Sequence, residues 1–238
     1  MADPAAAGAG TGRQNVTFPS NGSQAHGYLA LPPSGRGPGL LVVQEWWGLT
    51  DHIAGMVDRF AAEGFLALAP DLYGGVTTHD RAEAAELLKR LPVEGAVRDL
   101  RGAVDFLLGH SALVGDAIAV VGFCMGGGFA LRLAALEGDR VAAVVPFYGL
   151  PREPGYDYRG LTAHVLGHFA EHDHGLPPET VDEAAILIGE ATDRRPEIHF
   201  YPAGHAFMNE ENPLGSYDPL QAEVAWRRTL SFLRGHLG

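Results

Sequence analysis

The stretch Ala117-Ile118-Ala119-Val120-Val121-Gly122-Phe123-Cys124-Met125-Gly126-Gly127-Gly128 decides how this chain folds. An unbroken apolar run that stops at glycine fits a strand buried on both faces. The residues that follow, 126–136, read as a helix. Cys124 lies between Gly122 and Gly126, the G-x-C-x-G form of a nucleophile elbow. The spacing has a steric reason: small neighbours let strand and helix pass close to a strained turn, which lifts the side chain clear of the sheet. The turn also sets the sulfur at a helix N-terminus, where the dipole favours a thiolate. The N–H of Met125 would then face the place where an oxyanion forms. Two other readings compete. One is a buried structural cysteine. The other is a dinucleotide-binding glycine loop, but such a loop belongs to the first strand–helix unit, with an acid ending the next strand. Here the motif is in mid-chain, and the next apolar run ends in Pro146-Phe147-Tyr148-Gly149.

Outward from this turn, similar short apolar runs recur at residues 39–44, 65–70, 141–148, 164–169 and 197–201. Helical stripes lie between them. Ile53, Met56, Val57, Phe60 and Ala61 form one, with Thr50 or Asp51 placed to cap it. Val93, Val97, Leu100, Val104, Leu107 and Leu108 form a second, and Trp226, Leu230, Leu233 and Leu237 a third. Residues 178–191 complete the set. Residues 16–18 and 24–30, joined by Ser20-Asn21-Gly22, read as an N-terminal β-hairpin. Alternating strands and helices with near-continuously apolar strands predict an α/β fold, a mostly parallel sheet with helices on both faces. Ligands of such sheets bind beyond the carboxyl ends of the strands.

The chain has 238 residues, 46% hydrophobic and 19% charged. Such a length supports one substantial core, and residues 15–238 are expected to form a single domain behind a flexible tail at 1–14. Net charge is −12, from 17 basic and 29 acidic residues. That balance disfavours nucleic acid or an anionic membrane as partner. No apolar stretch approaches the roughly 20 residues of a membrane span, and the start lacks the pattern of a secretory leader. A cytoplasmic monomer or small homo-oligomer acting on a small molecule, with no cofactor, is the expectation. The single cysteine, Cys124, allows no intrachain disulfide.

A thiol nucleophile needs a base. His205 follows the run at 197–201, in a loop with small neighbours on both sides. Glu171 and Asp173 follow the run at 164–169, and Asp173, deeper in the turn, is the preferred partner for His205. The order Cys124, Asp173, His205 is the hydrolase order of nucleophile, acid and histidine. Glu45, beside Trp46 and Trp47, ends the run at 39–44 and reads as a buried acid near the thiol. The Trp46 N–H is the second candidate oxyanion donor. A competing chemistry comes from the cluster His164, His168, Glu171, His172, Asp173 and His174, whose side chains are all potential metal ligands. A catalytically silent scaffold that binds a small molecule is a further alternative.

Residues 44–48 (QEWWG), 69–73 (APDLY), 122–127 (GFCMGG) and 204–207 (GHAF) together resemble the dienelactone hydrolase family, a branch of the α/β-hydrolases. The resemblance runs over residues 16–237. It implies carboxymethylenebutenolidase-type chemistry: cleavage of an enol-lactone or ester through a thioester-linked acyl-enzyme. By motif, Cys124 matches the nucleophile, His205 the base and Asp173 its partner. Glu45 matches an acid that helps to form the thiolate, and the amides of Trp46 and Met125 match the oxyanion hole. The family holds its substrate carboxylate with arginines. Here Asn209 stands where one of them is expected, and Arg81, in the helix after APDLY, is a candidate for the other. Trp47, Arg81, Phe207 and Asn209 are therefore expected to contact substrate. The tryptophan pair is bulkier than the family pattern.

Overall fold

The computed structural model describes residues 13–20, 22–153 and 155–237. The expected tail therefore lies outside the described residues except for Arg13 and Gln14, as does Asn21 of the hairpin turn. Eight strands form one sheet: β1 (Val16–Ser20), β2 (Ser23–Ala30), β3 (Gly37–Val43), β4 (Leu66–Pro70), β5 (Leu113–Phe123), β6 (Val141–Phe147), β7 (His164–Ala170) and β8 (Glu197–Tyr201). Their order is β1-β2-β4-β3-β5-β6-β7-β8. The β1–β2 and β2–β4 pairs are antiparallel, and every other pair is parallel. The expected hairpin and mostly parallel sheet are both present. β5 begins earlier than its apolar run: Leu113 pairs with Gly37, and the exposed Val114, Gly115 and Asp116 lie in a register shift before Ile118 pairs with Gly39.

Among the described residues, six α-helices cover the sheet: α1 (Asp51–Ala62), α2 (Arg81–Arg90), α3 (Val93–Leu108), α4 (Met125–Glu137), α5 (Pro178–Thr192) and α6 (Pro219–His236). Alternation along the strands sends side chains to opposite faces. Leu40, Val42, Val121 and Val145 pack with α1 and α6, where Phe60 and Trp226 have ring centroids 4.5 Å apart. Leu41, Val43, Val120 and Val144 pack with α3, α4 and α5. Each fully buried aliphatic or aromatic side chain adds roughly 1.5–3 kcal/mol, so two such layers hold the sheet from both sides.

The cap of α1 differs from the expectation. Thr50 is the N-cap residue, yet its side chain makes no capping bond. The acceptor is Glu211, a distant residue whose Oε1 receives the His52 N–H at 3.0 Å. Asp80, at the start of α2, caps in the usual way, accepting from Ala82 N and Glu83 N at 2.9 Å each. No helix among the described residues is long and apolar enough to cross a membrane.

Strand order places the site. Chain flow from β3 goes outward to β4, then returns to β5 on the other side of β3. The crevice at such a switch point receives ligands. The parallel register, Val43 beside Gly122 and Phe123 beside Phe147, brings the strand ends that carry Glu45, Cys124 and Tyr148 level.

Candidate active site

Cys124 leaves β5 with φ +53°, ψ −120°, a conformation that costs a residue with a Cβ about 1–3 kcal/mol. The turn closes through Cys124 N–H to Phe147 O at 3.0 Å and Gly127 N–H to Cys124 O at 2.9 Å. Gly122 and Gly126 make it possible. A Cβ on Gly122 would lie 2.0 Å from Gly126 O, and one on Gly126 would lie 2.4 Å from Val43 O. Gly149 is as tight on the far side, where a Cβ would lie 1.8 Å from Cys124 O. Strand, turn and helix thus pass at backbone contact, and the sulfur is left partly exposed.

The His205 ring sits on that sulfur, with Nε2 3.2 Å from Cys124 Sγ. Its Nδ1 meets Asp173 Oδ2 at 2.5 Å, where the buried carboxylate accepts. The other oxygen, Oδ1, accepts from Gly175 N–H at 2.9 Å, which fixes the acid. Glu171, the other acid considered, is exposed. Burial pushes the imidazole pKa down, but the hydrogen bonds to Asp173 and Cys124 and their charges outweigh it and carry it up to about 10.

Glu45 is enclosed at 1% exposure. Tyr148 Oη donates to Oε1 at 3.1 Å and Asn209 Nδ2 to Oε2 at 2.6 Å. Asn209 is oriented by its own Oδ1, which accepts from Glu211 N–H at 3.0 Å. Burial dominates the carboxyl pKa and raises it to about 7, against the opposing hydrogen bond from Asn209 and the charge of His205. No hydrogen bond joins Glu45 to Cys124 among the described residues, so this acid stands one layer behind the thiol. Neither the Trp46 nor the Met125 N–H donates to another described group, and both remain available to a ligand.

The expected substrate contacts are placed differently. Trp47 is 1% exposed, with its ring stacked on His79 at 6.4 Å. Phe207 is fully buried, because Ala206 at φ +62° turns it back against Tyr201 and Tyr148, at 5.0 and 5.5 Å. Asn209 is committed to Glu45. Arg81 is exposed at the first position of α2, with no ion pair or hydrogen bond of its side chain among the described residues. Three are buried supports and the fourth is held by nothing at the site. The metal-ligand cluster is likewise dispersed. His168 is fully buried between Tyr201 Oη at 2.8 Å and Thr229 Oγ1 at 3.0 Å, while His164 stacks on His236 at 3.9 Å. His172 and His174 are exposed, and no metal-holding group of three forms among the described residues.

Sequence reasoning missed two side chains at the site. Tyr148 directly follows β6 at φ +37°, donates to Glu45 and lays its ring edge to the His205 ring at 5.2 Å. Its strand-end position was the available signal. Tyr73 explains the APDLY motif. Asp71 folds the turn by accepting from Tyr73 N–H and Gly75 N–H, at 2.9 and 2.5 Å, and the Tyr73 hydroxyl then meets Met125 Sδ at 3.6 Å. Burial and the nearby thiol raise the Tyr73 pKa, and the charge of Arg152 opposes them.

Comparison with known proteins gives the same picture. The family model for the dienelactone hydrolase family matches residues 25–237. The usf protein of Aquifex pyrophilus is 34% identical over 233 residues, covering 94% of this chain and 99% of its own. A carboxymethylenebutenolidase of Pseudomonas sp. is 32% identical over 225 residues, covering 90% and 91%. Among solved structures, a dienelactone hydrolase-like promiscuous phosphotriesterase from metagenomic libraries aligns with TM-score 0.81 at 25% identity, covering 95% and 98%. With the elbow, the sheet order and a family match along nearly all of its length, the chain belongs to the dienelactone hydrolase family of α/β-hydrolases.

Proposed function

We propose that this hydrolase cleaves a lactone or carboxylic ester through a Cys124 thioester, with His205 as base and acid and Asp173 as its orienting partner. The observation that carries the reading is the continuous contact from Asp173 Oδ2 through the His205 ring to Cys124 Sγ, at 2.5 and 3.2 Å. His205 takes the thiol proton, since Nε2 is the group in reach of the sulfur. The thiolate attacks the carbonyl carbon, and the oxyanion is met by the N–H groups of Trp46 and Met125. Such donors are worth about 3–4 kcal/mol each. The carbon–oxygen bond then breaks, and the imidazolium gives its proton to the leaving oxygen, which in a lactone stays on the same molecule. His205 next takes a proton from water, the hydroxide attacks the thioester, and the carbon–sulfur bond breaks to return the thiolate. Glu45 acts from behind: when ionised, it favours the imidazolium without touching the sulfur.

The test is a panel of lactones and p-nitrophenyl esters, with mass spectrometry of the quenched protein. The expected result is turnover with an acyl adduct on the peptide that carries Cys124, and loss of both in Cys124→Ala. Turnover that survives the substitution overturns the reading.

A further inference from the structure

The helix that starts at the elbow leads away from the thiol into a second feature. Met125, Gly128, Phe129 and Arg132 stand at i, i+3, i+4 and i+7 of α4 and share one of its faces. That face lines a cavity of about 120 Å³. Leu88 and Leu91, at the end of α2, form a second wall, and Leu150 and Pro151, after β6, a third. Gly128 sets its width, because a Cβ there would lie 2.5 Å from Leu150 O and push the third wall outward. The cavity's charged lining is Arg132 and Glu153, which pair with each other at 2.5 Å, and Arg152 beside them. Leu88, Leu91, Phe129 and Leu150 are only partly covered. They pack against the core on one side and line the cavity on the other.

Two observations orient this cavity toward the chemistry. Met125, whose N–H is the proposed oxyanion donor, lines it. No residue of the His205 loop lines it. The leaving oxygen must face His205 to receive a proton. The group on the opposite side of the carbonyl carbon, the acyl chain, is therefore directed along α4.

We infer that this cavity is the acyl-chain subsite, and that the substrate class is esters or lactones whose acyl portion carries a short aliphatic chain. The inference rests on the thioester reading above. The cavity corresponds to about four water-sized volumes, which suits a chain of about four to six carbons. Each methylene it buries strengthens transition-state binding about fourfold, equivalent to about 0.8 kcal/mol.

The experiment measures kcat/KM for straight-chain p-nitrophenyl esters from acetate to dodecanoate, and for acetates of alcohols of rising length. The wild type is expected to climb about fourfold per carbon to a maximum near butyrate or hexanoate. Phe129→Ala and Leu88→Ala, which widen separate walls, move that maximum to chains longer by two or more carbons. Phe129→Trp moves it toward acetate. Melting curves confirm that each variant is folded. The alcohol series is expected to be indifferent to all three changes. An acyl profile that is flat, or unmoved in every folded variant, overturns the subsite, as does a response confined to the alcohol series. The acetyl adduct on Cys124 separates the two proposals. If it forms while the profile fails, the subsite alone is wrong; if it never forms on any ester, the thioester reading fails first.

Discussion

Asn209 donates to Oε2 of Glu45 at 2.6 Å, and both side chains are closed off from solvent. An amide here answers the carboxylate with hydrogen bonding alone and leaves its charge uncompensated. Asn209→Leu removes the donor and strands one carboxylate oxygen in the interior. The expected cost is about 1–3 kcal/mol, with the Glu45 pKa driven further above about 7. Urea unfolding at pH 8 measures the first. The carbonyl stretch of the protonated acid, followed by difference infrared spectroscopy against Glu45→Gln, measures the second.

Glu45 itself makes stability depend on pH in a defined direction. Its native pKa is about 7, above the ordinary 4.5. Between those values the folded chain holds a proton that the unfolded chain has released, so stability falls as pH rises. The full effect is on the order of 3 kcal/mol. Glu45→Gln lacks this term. Relative to wild type it is expected to become progressively more stable from pH 4.5 to 7, by chemical denaturation at fixed ionic strength. A constant difference across that range contradicts the assignment.

His52 has the opposite sign. Its ring is buried, T-shaped to Phe123 at 6.1 Å, and both nitrogens lack partners. Burial lowers its pKa to about 4, with Glu211 opposing and Arg59 reinforcing the shift. The unfolded chain takes up the proton near 6.5, so stability falls as pH drops from 6.5 toward 4. His52→Phe keeps the ring and removes the proton site. It is expected to gain on wild type by roughly 3 kcal/mol on acidification across that window, a slope that urea midpoints at pH 4, 5 and 7 resolve.

Gly149 has no chemical group to offer, and yet Gly149→Ala is expected to abolish turnover. The added methyl would fall 1.8 Å from Cys124 O, a backbone atom of the elbow. Either the turn moves and the sulfur leaves His205, or the fold loses several kcal/mol, in the range of overpacked cores. Esterase rate and melting temperature together distinguish this from a silent surface change.

Asp173→Asn removes the charge that holds the imidazole but keeps the shape of the turn. The loss expected in kcat/KM is about a hundredfold to ten-thousandfold, the scale of one positioned proton-transfer group. Glu171→Gln, changed at the exposed neighbour, serves as the control and should leave the rate near wild type. Comparable losses in both would remove Asp173 from its proposed place.

The sheet was legible because its central strands are apolar on both faces, a signal that survives without tertiary context. β5 shows the limit: its first residues lie at an exposed register shift, where no apolar pattern is needed. α2 buries only Ala84, so it has no stripe to read. At the candidate site, the meeting of Cys124, Asp173 and His205 was readable because each follows a strand end in a fixed order. The hydrogen-bond partners of Glu45 were not. Its partners Tyr148 and Asn209 lie 103 and 164 residues away in sequence and meet it only after the sheet closes. The burial of Phe207 had no sequence signal for a related reason. One positive φ at Ala206 turns Phe207 from the surface into the core, and no residue type announces that turn.

The walls of the α4 cavity are supplied by α2, by one face of α4 and by the segment after β6, and the thiol, imidazole and carboxylates stand on other residues. Selection can therefore act on the two sets separately. On the proposed subsite, changes at Leu88, Phe129 and Leu150 alter the acyl chain accepted while the reacting groups stay as they are. Such a division lets one ancestral enzyme give rise to relatives that share a chemistry and differ in diet.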